Sequence, residues 1–589
     1  MFLKLLLVLR VIFNIKSFIN KINKKMRWNK KQEPNKQIVT SLSNALNVDY
    51  GIAKLLVSRN IETYKQAKTF FRPSLDDLHD PFLMKDMNLA VSRIEKAITN
   101  KEIIMVFGDY DVDGTTAVSV VASYLKKDYK NVVTYIPDRY EEGYGVSYKG
   151  IDFASDNDIG LIIALDCGTK AIEKIDYATK KGVDFIIADH HRPSKELPEA
   201  VAVLNPKRKD CSYPYDELCG CGVGFKLIQA LGVNKGQKIE EFTPYLDMVA
   251  TAIAADIVPV TGENRTLAYF GMQVINKNPR VGIKALIAEA NRPIINITDV
   301  VFTIAPRINA AGRMKSGIHA VNLLMEDDKN KAKKFATEIE KYNLDRKKLD
   351  QQITAEALRL IVKNEEENNF TSVVYDENWH KGVIGIVASR LIETYYRPTL
   401  VFTKSGNYLA ASARSVKGFD VYHALEECAE FIEQFGGHKY AAGLTLKPEN
   451  YIKFKAQFEQ VVKDAIPPEL LEPEISIDAE IPLSNITPKF YRILKQFGPF
   501  GPKNMKPVFL STGMRDNGYG KKVGAEGDHL KINIISDADQ KTYNAIGFNL
   551  GKKQELINNG KSFDIAYVIE ENTWQGNTSI QLNIKDIRA

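Results

Sequence analysis

The sequence alternates short apolar runs with segments of helical period, and this alternation limits the fold more than any other feature. The runs EIIMVFG (102–108), NVVTYI (131–136), GLIIALD (160–166) and VDFIIAD (183–189) are bounded by turn residues. Such a pattern predicts an α/β domain with a mainly parallel sheet. Open sheets of this kind bind ligands at the carboxyl ends of their strands, so the residues that end each run are the first candidates for a site.

Acidic residues stand at three of these strand ends. The first turn carries Asp109, Asp111 and Asp113, the second carries Asp166, and the third carries Asp189 with His190 and His191. A further acid, Asp256, ends the apolar run YLDMVATAIAAD. The first turn is similar to a calcium loop, but the twelfth position of that loop is Val120 and not the required Glu, which excludes it. One Asp after a strand is commonly a helix cap. Four acidic positions together with a His pair instead predict that these side chains converge on one site at the edge of the sheet.

The residue types of the predicted cluster indicate which metal ions and which reaction it suits. Clustered carboxylates are costly unless cations neutralise them. Carboxylate oxygens with one or two imidazoles suit Mn²⁺ or Mg²⁺ better than zinc. Two such ions activate water and polarise a phosphoester, so the sequence predicts a two-metal phosphoester hydrolase.

Composition predicts a large, ordinary water-soluble chain. Its 589 residues predict three or four domains. Ten Lys/Arg and one Glu among residues 1–36 account for more than the whole net charge of +7, so any basic groove in the rest must be local. Five cysteines indicate a reducing compartment, the cytoplasm, and Cys211, Cys219 and Cys221 lack a fourth zinc ligand nearby, which favours packing.

The N-terminal run MFLKLLLVLRVIF is too short to span a bilayer, so no membrane association by a spanning helix is expected. It is open to three interpretations: a start assigned too early, with Met26 as the alternative start; a basic membrane-surface arm; or a signal peptide.

The predicted domain divisions of the chain are a basic extension (1–36), a catalytic α/β domain with an N-terminal helical part (37–325), a connecting helix (326–366), a second α/β domain (367–466) and a β-barrel (467–589).

Eight ordered motifs carry a family resemblance. GDYDVDG, ALDCGT, ADHH, TAIAADIVPV, PRINAAGR, WHKGVIGIVASRL, SARS and GGHKYAAG resemble the motifs of the DHH phosphoesterase superfamily, specifically the RecJ single-strand-specific exonucleases. The resemblance implies a DHH parallel-sheet domain, a DHHA1 α/β domain and a C-terminal OB-fold barrel. It implies metal ligands at Asp109, Asp111, Asp166, His190 and Asp256, with Asp166 bridging two ions and His191 stabilising charge on the phosphoryl oxygens. Asp113 is either a further ligand or a residue that shapes the turn, and Met105 stands where smaller-substrate relatives carry a ligand His.

Candidate residues for binding the strand lie in several segments. YIPDRYEEGYGVS (135–147) offers Arg139 and Tyr144, since aromatic rings near an arginine stack bases and hold phosphate. By resemblance, Arg307 or Arg313 of PRINAAGR joins Ser412 and Arg414 in a pocket for a terminal 5′ phosphate, and Asn309 of the same motif is a further substrate-binding candidate. The remaining candidates are His380, Gly436, Gly437 and His438 in the second α/β domain, and Tyr543, Phe548 and Trp574 in the barrel, where an aromatic core role is the alternative.

The resemblance implies a monomeric, Mn²⁺- or Mg²⁺-dependent 5′→3′ exonuclease of single-stranded DNA that releases 5′-mononucleotides in DNA repair and recombination. By the same resemblance its partners are a single-strand-binding protein and a helicase. Two alternatives stay open: a phosphodiesterase of short oligonucleotides or cyclic dinucleotides, and a replication scaffold without activity. The extra barrel disfavours the first alternative, and the complete set of acids and histidines disfavours the second.

Overall fold

The computed structural model describes residues 26–290, 294–536 and 541–589, so the expectations for residues 1–25 lie outside the described part. The chain divides into two compact units. The larger unit comprises residues 31–343 and 477–589, and the smaller comprises residues 344–476 with the chain up to residue 30. Across the described residues, no helix combines the length and apolarity needed to cross a membrane.

The larger unit contains a five-stranded parallel sheet, as the alternating pattern predicts. The strands in spatial order are Val132–Tyr135, Ile103–Gly108, Ile159–Leu165, Asp184–Ala188 and Ala202–Leu204. Ile104 and Val106 point into the core on one face, whereas Met105 and Phe107 point into the core on the other. Both faces are therefore covered, which explains why the strands read as continuous apolar runs.

Helices cover both faces of this sheet, and further helices pack on those. The helices of this region span Met87–Thr99, Val112–Asp128, Tyr148–Asp156, Ile172–Lys180, Gly220–Asn234, Leu246–Ala255, Gly262–Lys277, Val281–Ala290, Ala305–Met314 and Ile318–Met325. A short π-helical segment, Val300–Ile304, directly precedes Ala305–Met314. The helices Gly220–Asn234 and Leu246–Ala255 are buried along almost their whole length, which agrees with their apolar sequences.

The C-terminal part of the larger unit forms the predicted barrel. Its strands are Ala479–Glu480, Phe509–Asp516, Lys521–Val523, His529–Ser536, Thr542–Gly547, Phe563–Trp574 and Asn577–Arg588. Five of them close on themselves, because Phe509–Asp516 pairs both with Phe563–Trp574 and with His529–Ser536. A closed five-stranded barrel agrees with the expected OB-fold.

The N-terminal helices pack differently from the predicted division. Helices Lys36–Leu46, Tyr50–Val57 and Tyr64–Phe71 share one apolar core with the barrel and with helix Pro488–Lys495, whereas the sequence division groups residues 37–325 together. The first of these helices buries Val39 and Leu42 in that core. Their apolar stripes indicate only that they pack, and the partner is chosen by contacts with residues far away along the chain.

The smaller unit contains a mixed five-stranded sheet. Its strands in spatial order are Gln434–His438, Ala441–Leu446, Tyr408–Arg414, Thr399–Ser405 and Ser372–Tyr375, of which only the last pair is parallel. Helices Ile384–Thr394, Val421–Glu426 and Tyr451–Ala465 complete it. The strand Arg27–Lys30, part of the predicted basic extension, pairs with Glu474–Ile477.

The long helix expected at 326–366 spans Lys329–Lys363, and its 35 residues give it a length of roughly 50 Å. The division between the two units falls within it. Its first half buries Ala332, Ala336 and Ile339 in the core of the larger unit, and its second half buries Ile353 and Ile361 in the smaller one.

Candidate metal centre

The first acidic turn follows the strand Ile103–Gly108 and begins the helix Val112–Asp128. Asp111 caps this helix, because its Oδ1 accepts a hydrogen bond from Gly114 N at 3.1 Å. A Cβ on Gly114 would lie 2.4 Å from the carbonyl oxygen of Asp109, so only glycine lets the helix start so close to the strand end. The turn therefore serves the fold as a cap and leaves Asp109 fully buried beside Asp111.

Asp166 ends the central strand Ile159–Leu165 in a left-handed conformation, with φ +59°. Its N–H donates to the carbonyl of Ala188 at 2.9 Å, which fixes the backbone at the carboxyl edge of the sheet. A Cβ on Gly220 would lie 2.5 Å from Cβ of Asp166, so the helix that begins at Gly220 approaches this far only because residue 220 has no side chain. Sequence reasoning did not single out Gly220, although this glycine lets the helix pack directly against Asp166.

Asp189 orients the two histidines. Its Oδ1 accepts from His191 Nδ1 at 2.8 Å and from His190 N at 2.7 Å, while its Oδ2 accepts from Thr169 N at 3.0 Å. Although burial opposes ionisation, these donors and His191 lower the pKa of Asp189. The carboxylate in turn raises the pKa of His191 against the effect of burial. Sequence reasoning placed Asp189 at a strand end but did not assign it this positioning role.

The imidazole of His190 lies at the centre of the cluster. Its Nε2 is 3.3 Å from Asp166 Oδ1, 3.5 Å from Asp256 Oδ2 and 3.8 Å from Asp113 Oδ2. Burial, with a contribution from His191, lowers the pKa of His190 to about 3, so the ring is neutral and can act as a ligand. Two groups of ligand atoms have the spacing of a metal site: Asp166 with His190 and His191, and Asp113 with His190 and Asp256.

Asp113 makes the contacts expected of a residue that shapes the turn. Its two oxygens accept from the backbone N–H groups of Gly220 and Cys221 at 2.6 and 2.7 Å. Burial and the charge of Asp111 nevertheless raise the pKa of Asp113 to about 7. The residue thus links the first acidic turn to the helix that begins at Gly220 while lying within reach of His190.

The carboxylates of the cluster fit divalent cations. Among the described residues, Asp109 Oδ2 and Asp166 Oδ1 are buried without any hydrogen-bond partner. Burial, followed by neighbouring carboxylates, raises the pKa of Asp109 and of Asp166 well above the ordinary range, and that of Asp256 to about 9. Asp111 contributes to all three shifts, which places its charge beside them. Buried acids that lack donors and repel one another are the ligand set that Mn²⁺ or Mg²⁺ stabilises.

Met105 supplies no ligand. Its side chain is fully buried in the apolar core on the face of the sheet that carries Phe107 and Ile162. Any metal bound at this cluster would therefore be held by the acids and His190 without a group from position 105.

Tyr144 lies directly at the cluster. Its hydroxyl is 3.3 Å from His191 Nε2 and 3.4 Å from the carbonyl oxygen of Asp166, and half of its side chain is exposed. Tyr110 meets Tyr144 edge to face, and the guanidinium of Arg139 lies 4.7 Å from the centre of the Tyr110 ring. The structure thus brings both predicted residues of this segment, Arg139 and Tyr144, into one row that ends at His191.

The helix Ala305–Met314 carries the three PRINAAGR candidates. A Cβ on Gly312 would lie 2.4 Å from the carbonyl oxygen of Tyr110, so this helix packs closely against the first acidic turn. Arg307 differs from the expectation, because it is buried, pairs with Glu340 at 2.6 Å and donates to the carbonyl of Thr303 at 2.7 Å. Its charge is already compensated within the fold. Asn309 and Arg313 are half-buried on the same helix.

In the smaller unit, four predicted residues share one face of the sheet. Gly436 pairs with Gly443, which pairs with Ser412, and His438 pairs with Ala441, which pairs with Arg414. Residues two apart on a strand point to the same side, so Ser412, Arg414, Gly436 and His438 are neighbours.

The space around these positions of the sheet differs from residue to residue. Arg414 Nη1 donates to Ser412 Oγ at 3.1 Å, and a Cβ on Gly436 would meet nothing within 4 Å. Gly437, at the alternate position, has φ +148°, and a Cβ there would lie 2.4 Å from the carbonyl oxygen of Ala441. His380 lies in the loop before the helix Ile384–Thr394, where its Nδ1 accepts from Gly382 N at 3.1 Å.

The barrel aromatics divide between surface and core. Phe548 is 55% exposed and meets the His529 ring edge to face, whereas Tyr543 packs against the apolar core. The side chain of Trp574 lies outside the described part of the structure. Phe548 is therefore the barrel candidate that the structure leaves available to a base.

Comparisons with known proteins define the class. Residues 103–253 match the N-terminal domain of the DHH family, residues 367–464 match the DHHA1 domain, and residues 477–586 match the RecJ OB domain. The parallel sheet and the acid–histidine cluster lie within the first of these matches, with Asp256 just beyond it. The fold and the cluster thus define a DHH-family protein.

Individual relatives define the family more narrowly. The single-stranded-DNA-specific exonuclease RecJ of Bacillus subtilis (strain 168) is 36% identical over 567 residues, which cover 95% of this chain and 71% of that protein. The chain belongs to the RecJ family.

Solved structures agree. The crystal structure of RecJ in complex with Mn²⁺ from Thermus thermophilus has a TM-score of 0.80 at 26% identity, covering 96% of this chain and 80% of that one. The Mg²⁺ complex of RecJ from the same source has a TM-score of 0.76 at 25% identity, covering 96% of this chain and 78% of that one.

Proposed function

We propose that this chain is a metal-dependent exonuclease that degrades single-stranded DNA from the 5′ end and releases 5′-mononucleotides. The convergence of Asp166 and Asp256 on His190, each with an oxygen within 3.5 Å of Nε2, carries the proposal together with the buried carboxylate oxygens that lack hydrogen-bond donors. Membership of the RecJ family and the metal-containing RecJ structures from Thermus support it.

The metal ligands in this proposal are Asp109, Asp111, Asp166, His190 and Asp256. Two divalent cations held there would neutralise the carboxylates, polarise a phosphodiester and lower the pKa of the attacking water. The chain fixes the ligands beforehand, because Asp166 is held by its backbone bond to Ala188 and the His190 backbone by Asp189. Little rearrangement is then needed when metal and substrate arrive.

His191 has a separate role in this proposal. Asp189 holds Nδ1, so the ring presents Nε2 toward the hydroxyl of Tyr144 and the solvent-facing side of the cluster. Since the Asp189 carboxylate raises the pKa of His191, the ring carries positive charge at higher pH than an ordinary histidine does. A proton donor of this kind offsets negative charge that develops on phosphoryl oxygens.

Other residues are proposed to contact the bases and phosphates of the single-stranded DNA. Tyr144 and Tyr110 offer ring faces or edges to unstacked bases, and Arg139 and Arg313 offer charge for phosphate. We assign the terminal 5′ phosphate to Ser412 and Arg414, with the open glycine positions at Gly436 and Gly443 allowing a ligand close to the backbone. Phe548 would stack a base farther along the strand. A single-strand-binding protein and a helicase are the proposed partners, in DNA repair and recombination in the cytoplasm.

Digestion of end-labelled DNA tests the proposal. Wild-type protein with Mn²⁺ should shorten a 5′-phosphorylated single strand to mononucleotides from its 5′ end, leave a blunt duplex intact and cleave a dinucleotide more slowly. Without divalent metal, or with Asp166→Ala, digestion should stop.

The matched control is Asp128→Ala, which removes an exposed acid at the far end of the helix that Asp111 caps. This variant should digest like wild type. Preference for the dinucleotide would favour the short-oligonucleotide alternative, and wild-type activity in Asp166→Ala would refute the assigned centre.

A further inference from the structure

Ile257 has a backbone conformation that suits its residue type poorly. It is the first residue after Asp256, the C-cap of helix Leu246–Ala255, and its φ is +60°. Among the non-glycine residues of the described ranges with positive φ, Ile257 alone is β-branched. Helices commonly end with glycine or asparagine in this left-handed position, because a branched Cβ clashes with the backbone there.

Core packing does not compensate for this strain. The Ile257 side chain is 68% exposed, so most of its apolar surface faces solvent. Glycine at this position would relieve the backbone and would expose less apolar surface. The described structure covers only about a third of Ile257, so most of its apolar surface is open to a contact from outside the fold.

The position of Ile257 indicates which contact this is. Asp256 has Oδ2 3.5 Å from His190 Nε2, so Ile257 directly follows in the chain a residue of the candidate metal centre. The segment is held on both sides, because Asp256 N donates to Ala252 and Val260 N donates to Pro502, both at 2.9 Å. Backbone strain that is imposed from both sides and lies next to a metal ligand is typical of a functional position.

We infer that Ile257 is the apolar contact for the nucleobase beside the scissile phosphodiester. The inference rests on the proposed function. A single strand exposes base faces, and isoleucine is among the side chains that proteins insert between base steps to separate them. An exonuclease that removes one nucleotide at a time must unstack the terminal base from its neighbour. An aliphatic side chain suits this task for every sequence, because each base has an apolar face.

Substitution of Ile257 separates this contact from folding. Ile257→Gly should raise the melting temperature by about 1–3 °C, because it relieves the left-handed strain. On single-stranded DNA it should raise KM about tenfold with kcat within about twofold, whereas Ile257→Val should restore most of the KM. The matched control is Lys101→Gly. Lys101 occupies the same post-cap position of helix Met87–Thr99, with φ +58°, at the opposite end of the strand that leads to Asp109. This control should gain similar stability with unchanged KM.

A second substrate tests the base contact itself. On a strand whose two terminal nucleotides at each end are abasic, wild type and Ile257→Gly should have equal KM, because the base that Ile257 contacts is missing. Two results would overturn the inference while leaving the nuclease assignment intact. One is that Ile257→Gly and wild type have the same KM on ordinary DNA. The other is that Ile257→Gly raises KM by the same factor on ordinary and on abasic-ended DNA. If wild type digests neither substrate with Mn²⁺, the proposed function fails first, and the inference falls with it.

Discussion

Two buried polar clusters of the larger unit are built in opposite ways. Lys226 and Glu263 are completely buried and paired at 2.9 Å, and Glu263 also accepts from Tyr213 and from the backbone of His79. Lys226 further donates to the carbonyl of His79 at 2.6 Å. In the candidate metal centre, by contrast, several buried carboxyl groups face one another, and oxygens of Asp109 and Asp166 have no hydrogen-bond donor among the described residues.

This difference separates a structural cluster from a functional one. A buried ion pair whose remaining hydrogen bonds are satisfied holds elements together, and removal of one partner leaves an unpaired charge. A cluster of like charges destabilises the fold until a ligand of opposite charge arrives. The same kind of substitution should therefore have opposite consequences for stability in the two clusters.

Asp166→Asn gives the largest expected effect. The exonuclease rate should fall about ten-thousandfold if Asp166 is a metal ligand as proposed, and this loss corresponds to about 5.5 kcal/mol of transition-state stabilisation. In chelator, the urea midpoint of the larger unit should stay the same or rise, because Asn keeps the shape of the side chain and removes one of the buried acids that disfavour one another's ionisation. Initial rates and urea unfolding in EDTA measure the two effects. A marked loss of stability in EDTA would show that Asp166 is a structural residue.

Glu263→Gln should show the reverse pattern. It leaves Lys226 buried without its carboxylate, which should cost about 3–5 kcal/mol of unfolding free energy. The rate per folded molecule should remain that of wild type, measured at a temperature where both proteins are folded. The double variant Lys226→Met with Glu263→Leu should recover most of the stability. If it does not, the pair contributes more than mutual neutralisation.

The fold and the acidic cluster could be predicted because they follow from local pattern and sheet geometry. Strand ends of a parallel sheet are adjacent, so Asp109, Asp166 and His190 were placed together from the sequence. The left-handed φ of Ile257 has no local signal, because isoleucine rarely adopts it.

Contacts set by tertiary packing could not be predicted. Gly220 is distant from Asp166 along the chain, and nothing in its neighbourhood marks its close approach. The pairing of Arg307 with Glu340 and the docking of helix Lys36–Leu46 on the barrel core are likewise decided by partners distant in sequence. Periodicity shows which face of a helix is apolar but not what covers that face.

Metal binding should distinguish the clusters directly. At a Mn²⁺ concentration one hundred times the dissociation constant, the wild-type larger unit should gain about 2.7 kcal/mol of stability for each site filled. Glu263→Gln should gain the same increment from its lower starting point, whereas Asp166→Asn should gain much less. Thermal melts across a Mn²⁺ titration measure this, and an equal gain in Asp166→Asn would place the metal elsewhere.

The smallest expected effect belongs to an exposed ion pair between the ends of two helices, Val112–Asp128 and Gly220–Asn234. Asp128 and Lys235 pair at 2.8 Å, and their side chains are 69% and 42% exposed. Asp128→Ala should therefore lower the unfolding free energy by only about 0–1 kcal/mol, because water already screens the pair. This loss should become smaller still at high salt, because added ions increase the screening. Urea unfolding at low and high NaCl measures this. A cost near that of Glu263→Gln would mean that pairing itself, and not burial, sets the size of these effects, and the contrast between the two buried clusters would lose its physical basis.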